Sequence, residues 1–329
     1  MDNPLGNSII QVALYEDMVV GARHSYPLWV RIAGKRFYSF CSADIAVHPD
    51  YRGTGISRKL IEMNIRDMKA NGFKYAYYVS SNPIMIKRFE KEGSPRFPHP
   101  ILNLVLIHDI DKQLEVMPMD HAWIQKYGYK GAKMLSKARG LMRGPIPEYF
   151  NIAIHRNRKF DSGFISFFDT IHDHYGYMVE RSLDYVKWRF CDPRAGSYLI
   201  HVAESNGVVS GYCVTRVNRF REDYPIGVIV ELLALPGSPD AVHSLIRDAL
   251  SFFNGEGVNI VTTQVVQNHP YDALFRDHGF VDSRTQTYLY SWPLHIMEDF
   301  KKVYDLPPER TYYSYSDIDS LPTDLPIQR

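Results

Sequence analysis

Cysteine is scarce in this chain: three in 329 residues, Cys41, Cys191 and Cys213, far apart in sequence. They build neither a disulfide framework nor a zinc-binding spacing, and a reducing cytoplasm is the expected compartment. Any run of about 20 apolar residues is missing too, so no membrane span is expected. The opening Met1-Asp-Asn-Pro-Leu-Gly6 lacks the basic and apolar regions of a signal peptide. Nor is there an excess of charge of one sign, since 38 Lys plus Arg against 37 Asp plus Glu leave a formal net charge of +1. Without a global field to attract nucleic acid, any anion must be held by a local site. The 45% hydrophobic and 23% charged fractions belong to an ordinary globular chain, and the length fits two domains of roughly 150 residues.

What the chain does contain is an internal duplication. Gly6 to Gly21 can be laid on Gly196 to Gly211, so that Gly6, Ile10, Val12, Ala13 and Gly21 match Gly196, Ile200, Val202, Ala203 and Gly211 at one offset. Asp44-Ile-Ala-Val-His-Pro49 then lies over Glu231-Leu-Leu-Ala-Leu-Pro236. Asn82, Phe89 and Gly93 keep the spacing of Asn268, Phe275 and Gly279. Each copy reads as strand, strand, strand, helix, strand, helix, strand. In the first, a helix over Gly55 to Ala70 sets Ile56, Leu60, Met63, Ile65 and Met68 roughly on one face; the strand Lys74 to Ser80, a short helix ending at Gly93 and the strand Ile101 to Ile107 follow. In the second, the corresponding elements are a helix from Asp240 to Asn254, a strand from Asn259 to Val266, a helix ending near His278 and a strand from Thr285 to Ser291. This order predicts an α+β, layered unit with a mixed central sheet flanked by helices.

The most informative run is Val47-His-Pro-Asp-Tyr-Arg-Gly-Thr-Gly-Ile-Ser-Arg-Lys-Leu60, between a strand and a helix. Gly53 and Gly55 let backbone N–H groups converge, the helix adds its positive N-terminal end, and Arg52 and Arg58 add charge-assisted donors. Together they would cradle an anion, although glycines also serve ordinary turns. Neither the Walker A spacing nor the third glycine of a dinucleotide fingerprint is present.

Asp50-Tyr51-Arg52-Gly53-Thr54-Gly55 resembles the pyrophosphate loop of the GNAT N-acetyltransferases, commonly Gln/Arg-x-x-Gly-x-Gly/Ala, departing from it at Asp50. The resemblance implies tandem GNAT-like acyl-CoA N-acyltransferase domains with acetyl-CoA as cosubstrate and no metal. It also implies coenzyme contacts from Val47, Arg52, Gly53, Thr54, Gly55, Ile56, Ser57 and Asn82. Asp44 is the candidate base; an acid facing solvent at a strand start is the alternative. The family often has a tyrosine four residues before the last helix's glycine, as acid for the departing thiolate. This chain has Phe89 there, and Phe275 in the second copy, so water or the amine's own proton would have to suffice.

The second copy reads Gly237-Ser-Pro-Asp-Ala-Val242 where the cradle should be. Pro239 removes a donor and Asp240 adds negative charge, so only the first copy is expected to bind coenzyme A. The implied division is 1–110 for the coenzyme-binding domain, 111–150 for a linker, 151–292 for the degenerate domain and 293–329 for a tail. Ser162 to Asp173 and Leu183 to Phe190 read as helices ahead of the second copy; the first copy is expected to lack their counterparts. Lys126, Lys130, Lys133, Lys137, Arg139 and Arg143 make Trp123 to Arg143 basic, as a solvated helix face or as a greeting for an anionic acceptor. His172 and His174, two apart on a helix, point in different directions and are not expected to hold a metal. The tail is expected to lie extended on the surface. The function implied is acetyl transfer to a primary amine of a small metabolite, such as an amino sugar or amino acid. A non-catalytic acyl-CoA-binding or scaffold protein is the reading from another class. No nucleic-acid partner and no membrane span are expected, and a homodimer is compatible with the pattern.

Overall fold

The computed structural model describes residues 2–109, 112–113, 127–128, 130–131, 134, 149, 151–157, 159–219, 223–293 and 298–318. The basic stretch 123–143 thus lies almost wholly outside the described residues.

The first half runs β1 (Ile9–Tyr15), β2 (Met18–Ile32), β3 (Lys35–Val47), α1 (Ile56–Ala70), β4 (Tyr75–Ser80), α2 (Pro83–Lys91) and β5 (Ile101–Ile107). After β6 (Ala153–Arg156), α3 (Phe164–His174), β7 (Tyr177–Val179) and α4 (Leu183–Cys191), the same order returns. It comprises β8 (Leu199–Ser205), β9 (Val208–Asn218), β10 (Ile226–Ala234), α5 (Pro239–Gly255), β11 (Ile260–Val266), α6 (Pro270–Asp277) and β12 (Val281–Pro293), with α7 (Glu298–Lys302) beyond. Tight turns join the early strands: both Ala33-Gly34 and Asn206-Gly207 have positive φ at the two central positions, matching the twist of the hairpins they close.

The twelve strands among the described residues form one mixed sheet, in the order β1-β2-β3-β4-β12-β5-β11-β10-β9-β8-β6, with β7 pairing with β2 off this path. The last strands of the two repeats are exchanged. β5, from the first, pairs along its whole length with β11, whereas β12, from the second, pairs with β4 through Tyr288–Pro293. One buried cluster therefore runs through both halves, from Leu28, Val30 and Tyr77 to Val228, Leu245 and Phe253.

Two expectations are corrected. The buried face of α1 is Leu60, Ile61, Asn64 and Met68, while Met63 is exposed. Positions four apart line up on a helix, and Asn64 occupies the inward position because Gln11 and Ser25 accept its two N–H bonds at 3.1 and 3.0 Å. The tail is not on the surface: Thr311–Asp317 is buried throughout. Tyr312 donates to Leu232 O at 2.9 Å, and the Tyr315 hydroxyl lies 3.3 Å from that of Thr262, so the segment fills the gap where β10 and β11 part. A void of about 10 Å³ is all that is left there. Apolar tyrosine rings with one polar tip suit such a wedge, and the tips of Tyr312 and Tyr315 each meet a group in the parted strands.

Candidate active site

β3 and β4 run parallel for three residue pairs, Ser39–Tyr75, Phe40–Ala76 and Cys41–Tyr77, and then part. Just beyond the last pair β3 bulges against β2: Arg23 stands opposite Ile45 and Ser25 opposite Ser42, so β3 carries an extra residue. The strand then runs through Val47 into the turn Pro49–Tyr51, and Arg52 Nε donates back to Val47 O at 3.3 Å. Gly53 and Gly55 follow with φ of 80° and 87°, values a side chain would strain. A Cβ on either would meet nothing within 4 Å, so their turn faces open space.

Helix α1 starts at Ile56 with Gly55 as its cap, which makes no side-chain capping bond, and no acid lies in the first turn. Its leading N–H groups therefore point at the opening, where an anion would meet both the donors and the helix dipole. The opening is a cleft of about 580 Å³ between the end of β3, the loop and α2, walled by Ile45, Ala46, Val47 and Met85. Of the sequence candidates, Val47, Arg52, Gly53, Gly55, Ile56 and Ser57 line it. Thr54 instead donates to Tyr51 O at 2.6 Å, bracing the loop from within. Asn82 caps α2, its side-chain oxygen accepting from Ile84 N at 2.9 Å, which leaves the amide N–H₂ on the exposed side chain.

Asp44 sits on the bulge, 71% exposed at the side chain, 4.0 Å from His24 Nδ1. Phe89 is 7% exposed and packs against Tyr78 and Tyr290, with ring centroids at 3.9 and 5.0 Å. It is a core residue at the place where the family often has an acid. Behind the cleft wall lies Arg23, which sequence reading passed over. It is buried in β2, donates to Ser42 Oγ, and leaves Nε without a hydrogen-bond partner. Burial first, and then the charge of Arg88, lower its pKa to about 10. A charged residue two positions after Gly21, in the run Val19-Val-Gly-Ala-Arg23, was the available signal.

The corresponding place in the second half is different. The N–H of Ala241 donates to the Asp240 carboxylate at 3.0 Å, so the helix start of α5 already carries an anion of its own. Glu231, Tyr212 and Arg216 in this half are all engaged by other residues of the chain. Arg181, fully buried, binds Glu231 at 2.7 Å and Asp317 at 2.6 Å, and Tyr212 donates to Glu231 at 3.0 Å. Burial, ahead of the opposing effect of Arg181, pushes the Asp317 carboxyl up to about 6. Arg216 is spent on Ala195 O and Tyr198. His172 is buried and accepts from Arg181 N, with its pKa driven down to about 3 by burial and by Arg31, Arg181 and Arg36.

Residues 1–92 match the family model described as an acetyltransferase (GNAT) domain. No curated protein sequence matches the chain. Among solved structures, an N-myristoyltransferase from Saccharomyces cerevisiae with bound myristoyl-CoA is similar at a TM-score of 0.58 and 13% identity, over 84% of this chain and 68% of that one. A GCN5-related N-acetyltransferase from Anabaena variabilis is similar at 0.54 and 13%, over 87% and 63%. A probable N-acyltransferase from Enterococcus faecalis, a conserved protein of unknown function, is similar at 0.52 and 14%, over 87% and 62%. The chain thus spans about two thirds of the length of these proteins. At such identities the likeness is one of fold. No helix among the described residues is long and apolar enough to cross a membrane.

Proposed function

We infer from the GNAT-domain match over residues 1–92 and the likeness of fold that the chain is a GNAT-type N-acyltransferase, and from that premise we propose that it transfers an acetyl group from acetyl-CoA to a primary amine of a small metabolite. The observation that carries this reading is the Gly53–Ser57 turn: glycines with open space above them and an uncapped helix start facing a cleft. Bound there, the coenzyme supplies an activated acyl thioester. The N–H groups of the loop and of the first turn of α1 hold its pyrophosphate, and Arg52 adds charge. The Val47 backbone lines the pantetheine path, and the Asn82 amide, at the start of α2, is the side-chain contact that the family resemblance implies. Asp44, in contact with water, takes the amine's proton directly or through a water molecule.

A short acyl group is favoured by what lies below the vertex of β3 and β4. Cys41 and Tyr77 are fully buried there, Tyr26 is 5% exposed, and the Tyr77 hydroxyl is tied to Asp317 O. A long chain would have to displace this packing. Calorimetric titration of acetyl-CoA tests the site, with Arg52→Glu plus Gly53→Pro expected to abolish binding, because proline cannot adopt the positive φ of Gly53. Unchanged affinity in that variant would sink the assignment. Thiol release over an amine panel then identifies the acceptor. The second reading, a coenzyme-binding protein without turnover, is favoured by Phe89, and coenzyme binding without thiol release from any amine would establish it.

A further inference from the structure

Arg23 is buried beside the cleft without an acid. It is 7% exposed and stands opposite Ile45 of the cleft wall. Ser42 takes one end of the guanidinium, Nε has no hydrogen-bond partner, and no carboxylate among the described residues pairs with it. Removing a cation from water without a counter-charge costs several kcal/mol. Arg88, close enough to repel it, makes the position worse. An apolar residue would fill the strand at no such cost, so the charge points to an anion that arrives from outside.

Its location says which anion. Cys41–Tyr77 is the last pair of the parallel ladder, so Ser42 and Tyr78 are the first residues past the vertex at which β3 and β4 part. Tyr78 is buried there; its hydroxyl donates to no partner, and the Ser94 hydroxyl approaches it as a donor. Burial raises the phenol's pKa further than any neighbour lowers it, so the group keeps its proton and can only offer it. The vertex therefore presents two unspent donors, one of them charged, beside the Phe89 ring that replaces the family's acid.

We propose that Arg23, with the Tyr78 hydroxyl beside it, is the thiolate site of the acyl transfer: it holds the coenzyme sulfur as that sulfur departs, in place of the acid missing at Phe89. This rests on the acyl-CoA reading above. As the amine nitrogen bonds to the thioester carbon, the carbon–sulfur bond breaks and its electron pair goes to sulfur. The amine's proton leaves for Asp44 or water, and the thiolate is protonated after release into solvent. Arg23 and Tyr78 supply charge and hydrogen bonds and exchange no proton, a form of preorganised electrostatic stabilisation. The other groups facing the vertex are Cys41 from β3, Arg88 and Glu92 from α2, and Tyr290 from β12. Arg88 and Glu92 are paired with each other at 2.9 Å, so the Glu92 carboxylate is held by Arg88 and not by Arg23.

The test uses free coenzyme A bound to the whole chain, its thiol titrated by thiolate absorbance against the complex with desulfo-coenzyme A, which cancels the protein's own thiols. The bound thiol is expected to titrate at least about one unit below the free one, a tenfold gain in thiolate. Arg23→Met should abolish that shift and lower kcat on the order of 100-fold, leaving the KM for acetyl-CoA within about threefold. Arg23→Lys should restore part of both. Tyr78→Phe, which removes a hydroxyl that donates to no partner and so should fold normally, is expected to reduce the shift and cost roughly tenfold in kcat. Coenzyme that binds with an unshifted thiol, or an Arg23→Met enzyme with full kcat, overturns the proposal while leaving the cradle intact. Coenzyme that does not bind at all overturns the cradle, and this proposal with it.

Discussion

Gly21 has no side chain because α1 leaves no room for one. A Cβ there would lie 2.7 Å from Ile56 Cγ2 and 3.3 Å from Leu60, the residues that open the helix at the coenzyme loop. Gly21→Ala is therefore expected to cost about 1–3 kcal/mol and to weaken acetyl-CoA binding together with stability, since the displaced residue is part of the cleft. Calorimetric melting and titration of the same sample check it, and a variant with both values unchanged would mean that α1 shifts freely. Asp317 is the opposite case, a buried group held by partners. Asp317→Ala leaves Arg181 with Glu231 as its one carboxylate partner, and a loss of about 3–5 kcal/mol is expected in denaturant unfolding. The sequence alignment of the repeats marked Gly21 as special, but nothing in the order of residues brings Asp317 to Arg181, 136 positions away.

At the scale of elements, helix periods were readable because each long helix buries one face, whereas β10 and β11 are buried on both faces. The strand Ile101–Ile107 and the helices of both repeats fall where their apolar spacing puts them, within one or two residues. β1 departs from this pattern. Gln11 turns inward to α1 and binds Asp67 at 3.0 Å, while Ile10, Val12 and Leu14 are 66%, 49% and 62% exposed. Their counterparts in the second repeat, Ile200 and Val202, are buried in the main core. An apolar edge strand without a charge is a template for association. Val12→Lys is thus expected to reduce concentration-dependent light scattering while leaving the melting temperature within about 1 °C, because an exposed position away from the core contributes little to stability.

At the scale of the molecule, the exchanged strands make the halves interdependent. Residues 1–110 alone would lack β12, leaving β4 an open edge, and the remainder would lack β5, exposing β11. Neither piece is expected to show a cooperative melt when expressed alone, whereas the pair mixed after refolding should regain one; circular dichroism on both decides it. Acid sensitivity is a second property of the whole. Burial lowers His172 and His269 from 6.5 to about 3, so between these values the unfolded chain binds protons that the native chain refuses. Stability should fall as pH drops below about 6.5, by roughly 1.4 kcal/mol per unit for each histidine. Asp317, raised to about 6, takes up its proton in the native state and acts in the opposite direction between about 4 and 6. His172→Gln should flatten the acid limb of the stability curve, and an unchanged slope would mean that this imidazole is not held neutral.

The local chemistry of the chain was settled by sequence alone. Glycines at two positive-φ sites, an uncapped helix start and apolar periods of two and 3.6 act over a few residues, and they specified the Gly53–Gly55 turn, the start of α1 and the element order. Tertiary structure decided what depends on distant partners. It placed the last strand of each repeat in the other's sheet, drew the tail into the core and set an unpaired Arg23 where two strands part. Burial and strand pairing are properties of neighbours brought together by the fold, and no spacing along the chain encodes them.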